Sequence, residues 1–254
     1  MNSHHDLDSA IDRWFREDIG EGDHTTFSTI PADASGSAKL LVKEAGILAG
    51  HQIARRIFQR FDPETALHSL MEDGSSISPG DVVFRVKGKV HSILQCERLV
   101  LNVMQRMSGI ATTTAAYVKL LEGTGTKILD TRKTTPGMRF LEKEAVRIGG
   151  GVNHRFGLYD MILIKDNHID FAGGIRQAIS ATKTYLKEKK LALDMVVEAR
   201  SLADIEVVLS MSGIRRILLD NFSVEETRQA VQLIDRRVET ESSGGITRES
   251  VRKY

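Results

Sequence analysis

Arg132, Lys133, His154, Arg155 and Lys165 gather within one stretch of the 254-residue chain, from Asp130 to His168. A short apolar run at 127–130 leads into Thr131-Arg132-Lys133-Thr134-Thr135-Pro136-Gly137. A second, at 161–164, leads into Lys165-Asp166-Asn167-His168. Unpaired cations are not core residues, and strand-and-helix proteins present their chemistry at the carboxyl ends of strands. The cluster therefore suits a small molecule with several negative charges. Later strand ends are polar too: Val196-Val197 leads to Glu198, and Ile217-Leu218-Leu219 leads to Asp220-Asn221. Val238-Glu239-Thr240 leads to Glu241-Ser242-Ser243-Gly244-Gly245. Glu198 and Asp220, on adjacent strands, have the chemistry to hold a hard cation such as Mg²⁺ or to bond ribose hydroxyls. Ser243-Gly244-Gly245 offers backbone N–H groups and a hydroxyl to a phosphate. It is neither a P-loop nor G-x-G-x-x-G, which disfavours classical nucleotide-binding folds. Taken singly these residues are ordinary. One polar strand end is routine, His154 and His168 would be loop histidines, and Arg98 a surface or ion-paired residue. Arg139, Lys143 and Arg147 read as a solvated helix face and stay outside the site.

The elements that must position these groups follow from periodicity. Residues 7–18 have amphipathic spacing, with Ile11, Trp14, Phe15 and Ile19 on one side. Residues 18–26, rich in Gly and Asp, read as a loop. Strands are expected at 39–43, 47–48, 66–70 and 82–90, with a helix at 52–59. A strongly apolar helix is expected at 93–107, broken at Ser108-Gly109 and resumed at 112–121. Its apolar circumference predicts burial on more than one side. From 127 onward strand and helix alternate, with strands at 127–130, 161–165, 195–199, 216–220 and 238–241. Helices are expected between them at 140–148, 174–189, 201–211 and 223–236, the first stopped by Gly149-Gly150-Gly151. Such alternation predicts an α/β fold with a parallel sheet curled into a barrel.

Bulk properties narrow the function. At 41% hydrophobic residues the chain can bury a sizeable core. A net charge of +1 argues against a nucleic-acid partner, though not against a local cationic pocket. The single cysteine, Cys96, excludes an intrachain disulfide framework and a Cys-rich zinc site, and predicts a reducing, cytoplasmic location. The segment MNSHHDLDSAIDRW shows no apolar run behind a basic one, so no signal peptide is expected. No apolar run is long enough to predict a membrane span.

In their order along the chain, DTRKTTPG, GGGVNHR and LIKDNH resemble quinolinate phosphoribosyltransferase, a family that joins quinolinate to phosphoribosyl pyrophosphate (PRPP) and releases carbon dioxide and pyrophosphate. The likeness extends through EDIGEGDHTT, ERLVLNVMQRMSGIAT, VVEARS, ILLDNF and ESSGGIT. It implies an N-terminal α/β sandwich at 1–110 and an incomplete, open α/β barrel at 111–254 that carries the active site. It also implies a homodimer in which Arg98 reaches into the neighbouring subunit's pocket. Arg132, His154, Arg155 and Lys165 match positions that hold the quinolinate carboxylates. Lys133, with Lys165, matches the reacting centre beside PRPP. Glu198 and Asp220 match acidic residues at the ribose and Mg²⁺, while Ser243 and Gly244 match the phosphate loop. Lys133, Glu198 and Asp220 are the expected catalytic groups. Two departures stand out. The family's Glu-x-Glu is Val196-Val197-Glu198 here, which keeps one carboxylate. The family also continues beyond the position of Tyr254 with another strand and a Gly-containing loop. The barrel is therefore expected to lack its last strand and to hold PRPP less firmly. The alternatives are a related phosphoribosyltransferase acting on another acidic ring, and a non-catalytic ligand-binding homologue.

Overall fold

Leu7, Ile11, Trp14 and Phe15 share one face of α1 (Ser3–Ile19), with Ile11 fully buried. In the computed structural model, which describes residues 3–254, Phe15 packs on Phe61 at 4.8 Å. Met1 and Asn2, the start of the segment read for a targeting signal, lie outside the described residues. Of residues 18–26, only 20–23 form the turn their composition predicts. The helix runs to Ile19, and Asp23 accepts a hydrogen bond from the Thr26 N–H at 3.0 Å, capping a short α2 (His24–Thr29). The side-chain oxygen that suggested a turn serves as an N-cap.

The chain divides into two units, one of Met1–Lys119 with Thr126–Asn153, the other of Leu120–Gly125 with His154–Tyr254. In the first, β1 (Ser35–Leu41), β5 (Val82–Lys89) and β3 (Ala66–Ser69) form an antiparallel sheet in the order β1-β5-β3. The short strands β2 (Gly46–Ile47) and β4 (Ser76–Ile77) pair separately. Helix α3 (His51–Phe61) buries Ala54, Ile57 and Phe58, and its Arg56 and Arg60 reach Asp8 and Asp12 of α1. Helix α4 (Val90–Leu120) is continuous, where the sequence predicted a break at Ser108-Gly109. Ile93, Cys96, Val100, Val103, Met107 and Ala111 bury one stripe on both sides of Gly109. The packing of that stripe outweighs the ~1 kcal/mol that a helical glycine costs. Helix α5 (Arg139–Ile148) completes the unit, adding Leu141 and Ala145 to its core.

The second unit holds a parallel sheet in the order β6 (Ile162–Ile164), β7 (Met195–Ala199), β8 (Arg216–Asp220), β9 (Glu239–Ser243). The helices α6 (Asp166–Ala172), α7 (Ile175–Lys189), α8 (Leu202–Leu209) and α9 (Val224–Ile234) connect the strands. Every residue of β7 is buried, as a parallel strand covered on both faces requires. Ser223 and Glu226 form a capping box that starts α9. Two expectations are corrected. Residues 127–130 are not the first strand of this sheet. They make one parallel bridge, Leu129 to Val152, inside the first unit, because the glycine run folds 150–152 back beside them. His168, expected as a loop histidine, lies in α6, which begins directly after Lys165.

Candidate active site

Strand register brings the expected residues of the second unit to one edge. Ile164 pairs with Val197, Ala199 with Leu219 and Asp220 with Ser243, so Lys165, Glu198, Asp220 and Ser243 stand at the carboxyl ends of neighbouring strands. Glu198 is only 6% exposed and accepts a hydrogen bond from the Asp166 N–H at 3.2 Å. Burial pushes its carboxyl above the ordinary range. The Asp166 N–H works against that rise, while the nearby Asp220 and Asp166 charges add to it. Lys165 is exposed, and its backbone N–H donates to His168 Nδ1 at 3.0 Å. His168 therefore fixes the turn into α6.

The glycine after Ser243 is required by space and conformation. Gly244 has φ +97°, and a Cβ there would lie 2.1 Å from Asn221 Oδ1. Asn221 in turn donates its N–H to the Ser243 carbonyl at 2.8 Å and its side-chain amide to Asp220 at 2.7 Å. The Ser243-Gly244 backbone is thus latched to the end of β8, close to the acidic pair.

His154 and Arg155 open the main segment of this unit. His154 Nδ1 accepts the Arg155 N–H at 2.7 Å, which leaves Nε2 as the proton-bearing nitrogen of the neutral ring, 3.4 Å from Glu241. Glu241 also meets Arg216 at 3.0 Å. Burial alone would raise the Glu241 carboxyl, but His154 and Arg216 together hold it below the ordinary range. Arg155 is buried and donates to the Met161 carbonyl at 3.2 Å. Glu241, a strand end in the sequence, is thus the half-buried partner of the candidate residue His154. Its alternation with Glu239 on β9 was the available signal, since residues two apart share a face.

Arg98, Arg132 and Lys133 belong to the first unit. Arg98 is exposed on α4. Arg132 and Lys133 lie in the turn between Asp130 and α5, where the Lys133 N–H donates to Thr131 Oγ1 at 2.9 Å. The Arg132 Nε is buried without a hydrogen-bond partner among the described residues, a position that suits an incoming anion. Lys143, assigned to a solvated helix face, is instead 2% exposed and ion-paired with Asp130. Among the described residues no three His, Cys, Asp or Glu side chains come together as a ready metal site. The Glu198 and Asp220 carboxylates have the donor chemistry that a hard cation such as Mg²⁺ accepts.

An α/β chain with cationic and acidic strand ends of this kind has the chemistry to meet an anionic, phosphorylated ligand. Family models for the N-terminal and C-terminal domains of quinolinate phosphoribosyl transferase match residues 23–108 and 110–254. A Nicotiana tabacum protein named quinolinate phosphoribosyltransferase, decarboxylating, 1b is 43% identical over 98% of this chain and 75% of its own length. An Arabidopsis thaliana protein named nicotinate-nucleotide pyrophosphorylase, carboxylating, is 44% identical over the same shares. The crystal structure of NadC from Streptococcus pyogenes superposes with a TM-score of 0.93 at 39% identity, covering 100% of this chain and 88% of its own. The chain belongs to the quinolinate phosphoribosyltransferase family. It is a decarboxylating pentosyltransferase of NAD biosynthesis.

Proposed function

We propose that the carboxyl edge of the parallel sheet receives PRPP, and that Arg132, His154, Arg155 and Lys165 hold the two carboxylates of quinolinate. The observation that carries this reading is the alignment of Lys165, Glu198, Asp220 and Ser243 at one edge of four neighbouring strands. Ser243 and Gly244 take the phosphate, and Glu198 and Asp220 take the ribose hydroxyls and Mg²⁺. An ion held by Glu198 and Asp220 would supply charge neutralisation while pyrophosphate departs. The ring nitrogen of quinolinate bonds to the ribose carbon as the carbon–oxygen bond to pyrophosphate breaks. Lys133 and Lys165 stabilise the negative charge that collects on the departing group. The carboxylate next to the ring nitrogen then leaves as carbon dioxide. Its electron pair stays on the ring carbon beside the now cationic nitrogen and takes up a proton, giving nicotinate mononucleotide. No covalent enzyme intermediate is needed.

The proposed division of labour keeps the boundary near residue 110. Residues 111–254 carry most of the site, while 1–110 contribute Arg98 to the neighbouring subunit of a homodimer. The exposure of Arg98, and of Leu94 one turn earlier at 40%, supports that assembly. Among the described residues no helix is long and apolar enough to cross a membrane. The single buried Cys96, whose thiol burial pushes upward, supports a place in the reducing cytoplasm.

Calorimetry on Arg155→Ala tests the acid pocket. Quinolinate binding should weaken by roughly 2–5 kcal/mol, the cost of removing one partner from a desolvated charge pair, with PRPP binding little changed. Equal losses for both ligands would reject this assignment.

A further inference from the structure

The segment carrying Arg132 and Lys133 is short, polar and attached at both ends to a single helix. Asp130, two residues before Arg132, is ion-paired with Lys143 of α5, and the two side chains are 7% and 3% exposed. With its amide turned to suit its neighbours, Asn153 donates to Asp130 Oδ2 at 2.7 Å and to the Lys143 carbonyl at 2.9 Å. Thr135, two residues after Lys133, gives its N–H to Glu142 Oε2 at 3.2 Å. Its hydroxyl accepts from Arg106 at 2.6 Å, and Arg106 also bonds Glu142 through Nε at 2.8 Å. Burial tends to raise the Glu142 carboxyl, but Arg106 and Thr135 outweigh it, so Glu142 is held as an anion. Arg139 bonds Thr134 at 3.1 Å. The intervening backbone is closed by local bonds from Thr134 N–H to Arg132 O and from Met138 N–H to Thr135 O.

We propose that Glu142 and Lys143, adjacent on α5, are positioning residues that clamp the two ends of the Arg132-Lys133 segment. A buried ion pair adds little net stability compared with apolar packing, yet it fixes geometry closely. Lys143 sets where the segment leaves the core, and Glu142 with Arg106 sets where it returns. Both act on the backbone either side of Arg132. The buried Arg132 Nε keeps no hydrogen-bond partner among the described residues and stays committed to the ligand. Small displacements of a group that orients a reactant cost rate and affinity steeply. This inference rests on the reading of Arg132 as a quinolinate ligand.

The test is a double-mutant cycle on the full chain, read as the calorimetric Kd for quinolinate. Glu142→Gln should raise Kd by roughly tenfold or more. The double variant Arg132→Ala with Glu142→Gln should bind no more weakly than Arg132→Ala alone, because the clamp acts only through the residue already removed. A purely structural role would make the losses additive, and that result overturns the clamp. A silent Glu142→Gln beside a damaging Arg132→Ala overturns the clamp while leaving the pocket intact. A silent Arg132→Ala rejects the pocket reading and the clamp with it. Should Glu142→Gln unfold, Thr135→Ala removes a hydroxyl from an exposed residue of the same anchor, and the same non-additivity must appear there.

Discussion

At the scale of single residues, Glu198 carries an electrostatic cost in the folded state. Its folded carboxyl is raised above the unfolded value, by burial first and by Asp220 and Asp166 in addition. The folded state therefore binds the proton more tightly than the unfolded chain does. The ligand-free protein loses stability as pH rises from the ordinary carboxylate range through the raised value. Glu198→Gln, which keeps an oxygen for the Asp166 N–H, should raise the melting temperature at pH 7.5 and abolish most activity. The gain should shrink toward zero near pH 4, where both states carry the proton. A melting gain of equal size at both pH values would assign the effect to packing. The ends of the apolar strands were legible because a buried parallel strand must change character where it meets solvent. Lys143 was not legible. Its partner Asp130 lies thirteen positions upstream, across the turn that carries Arg132, and nothing in the helical spacing of 139–148 marks it for burial. Glu241 was hidden for a similar reason, since its partners His154 and Arg216 come from distant parts of the chain.

At the scale of elements, two glycines make opposite predictions. Gly109 lies within α4, and a Cβ there would meet nothing within 4 Å. Gly109→Ala should stabilise by about 0.5–1 kcal/mol, through the lower entropy of the unfolded chain. Gly149 ends α5 against α4, where a Cβ would lie 2.5 Å from the Ala111 carbonyl oxygen and 2.7 Å from Thr114 Cβ. Gly149→Ala should destabilise by about 1–3 kcal/mol, as overpacking does. Thermal melts of the two variants check both signs, and stabilisation by both would mean that α5 does not depend on that contact. The sequence placed the glycine run correctly as the end of a helix. It did not reveal the closeness of α4, because the spacing of residues along a chain says nothing of which distant backbone approaches. The run at 127–130 failed in the same way. Its apolar residues fit a strand, but their partner is Val152 and not the parallel sheet. The later strands were read correctly because local alternation alone determines such a layer. Helix α6 was not marked in the sequence, because its first turn, Asp166, Asn167 and His168, is polar.

For the whole molecule, a shared active site predicts complementation between subunits. Arg98→Ala and Lys133→Ala chains, each inactive alone, should recover activity when mixed and allowed to exchange. A dimer containing one of each carries one site with both residues intact, which sets the ceiling near a quarter of wild-type turnover per mole of dimer sites after random exchange. No recovery despite demonstrated exchange would place Arg98 within its own subunit's site or outside catalysis. The order in which the chain visits its two units has a consequence for synthesis. The first unit is left at Lys119 and rejoined only at Thr126–Asn153, which brings Leu141 and Ala145 to its core. A ribosome that has released the first 119 residues has therefore made the α4 surface before the helix that covers it. Until α5 emerges, Ala111 and Thr114 lack the Gly149 backbone that approaches them in the folded unit. The division between the two matched domains, at residues 108–110, falls inside α4, and a gene cut there would yield an N-terminal product without the α5 helix that closes it.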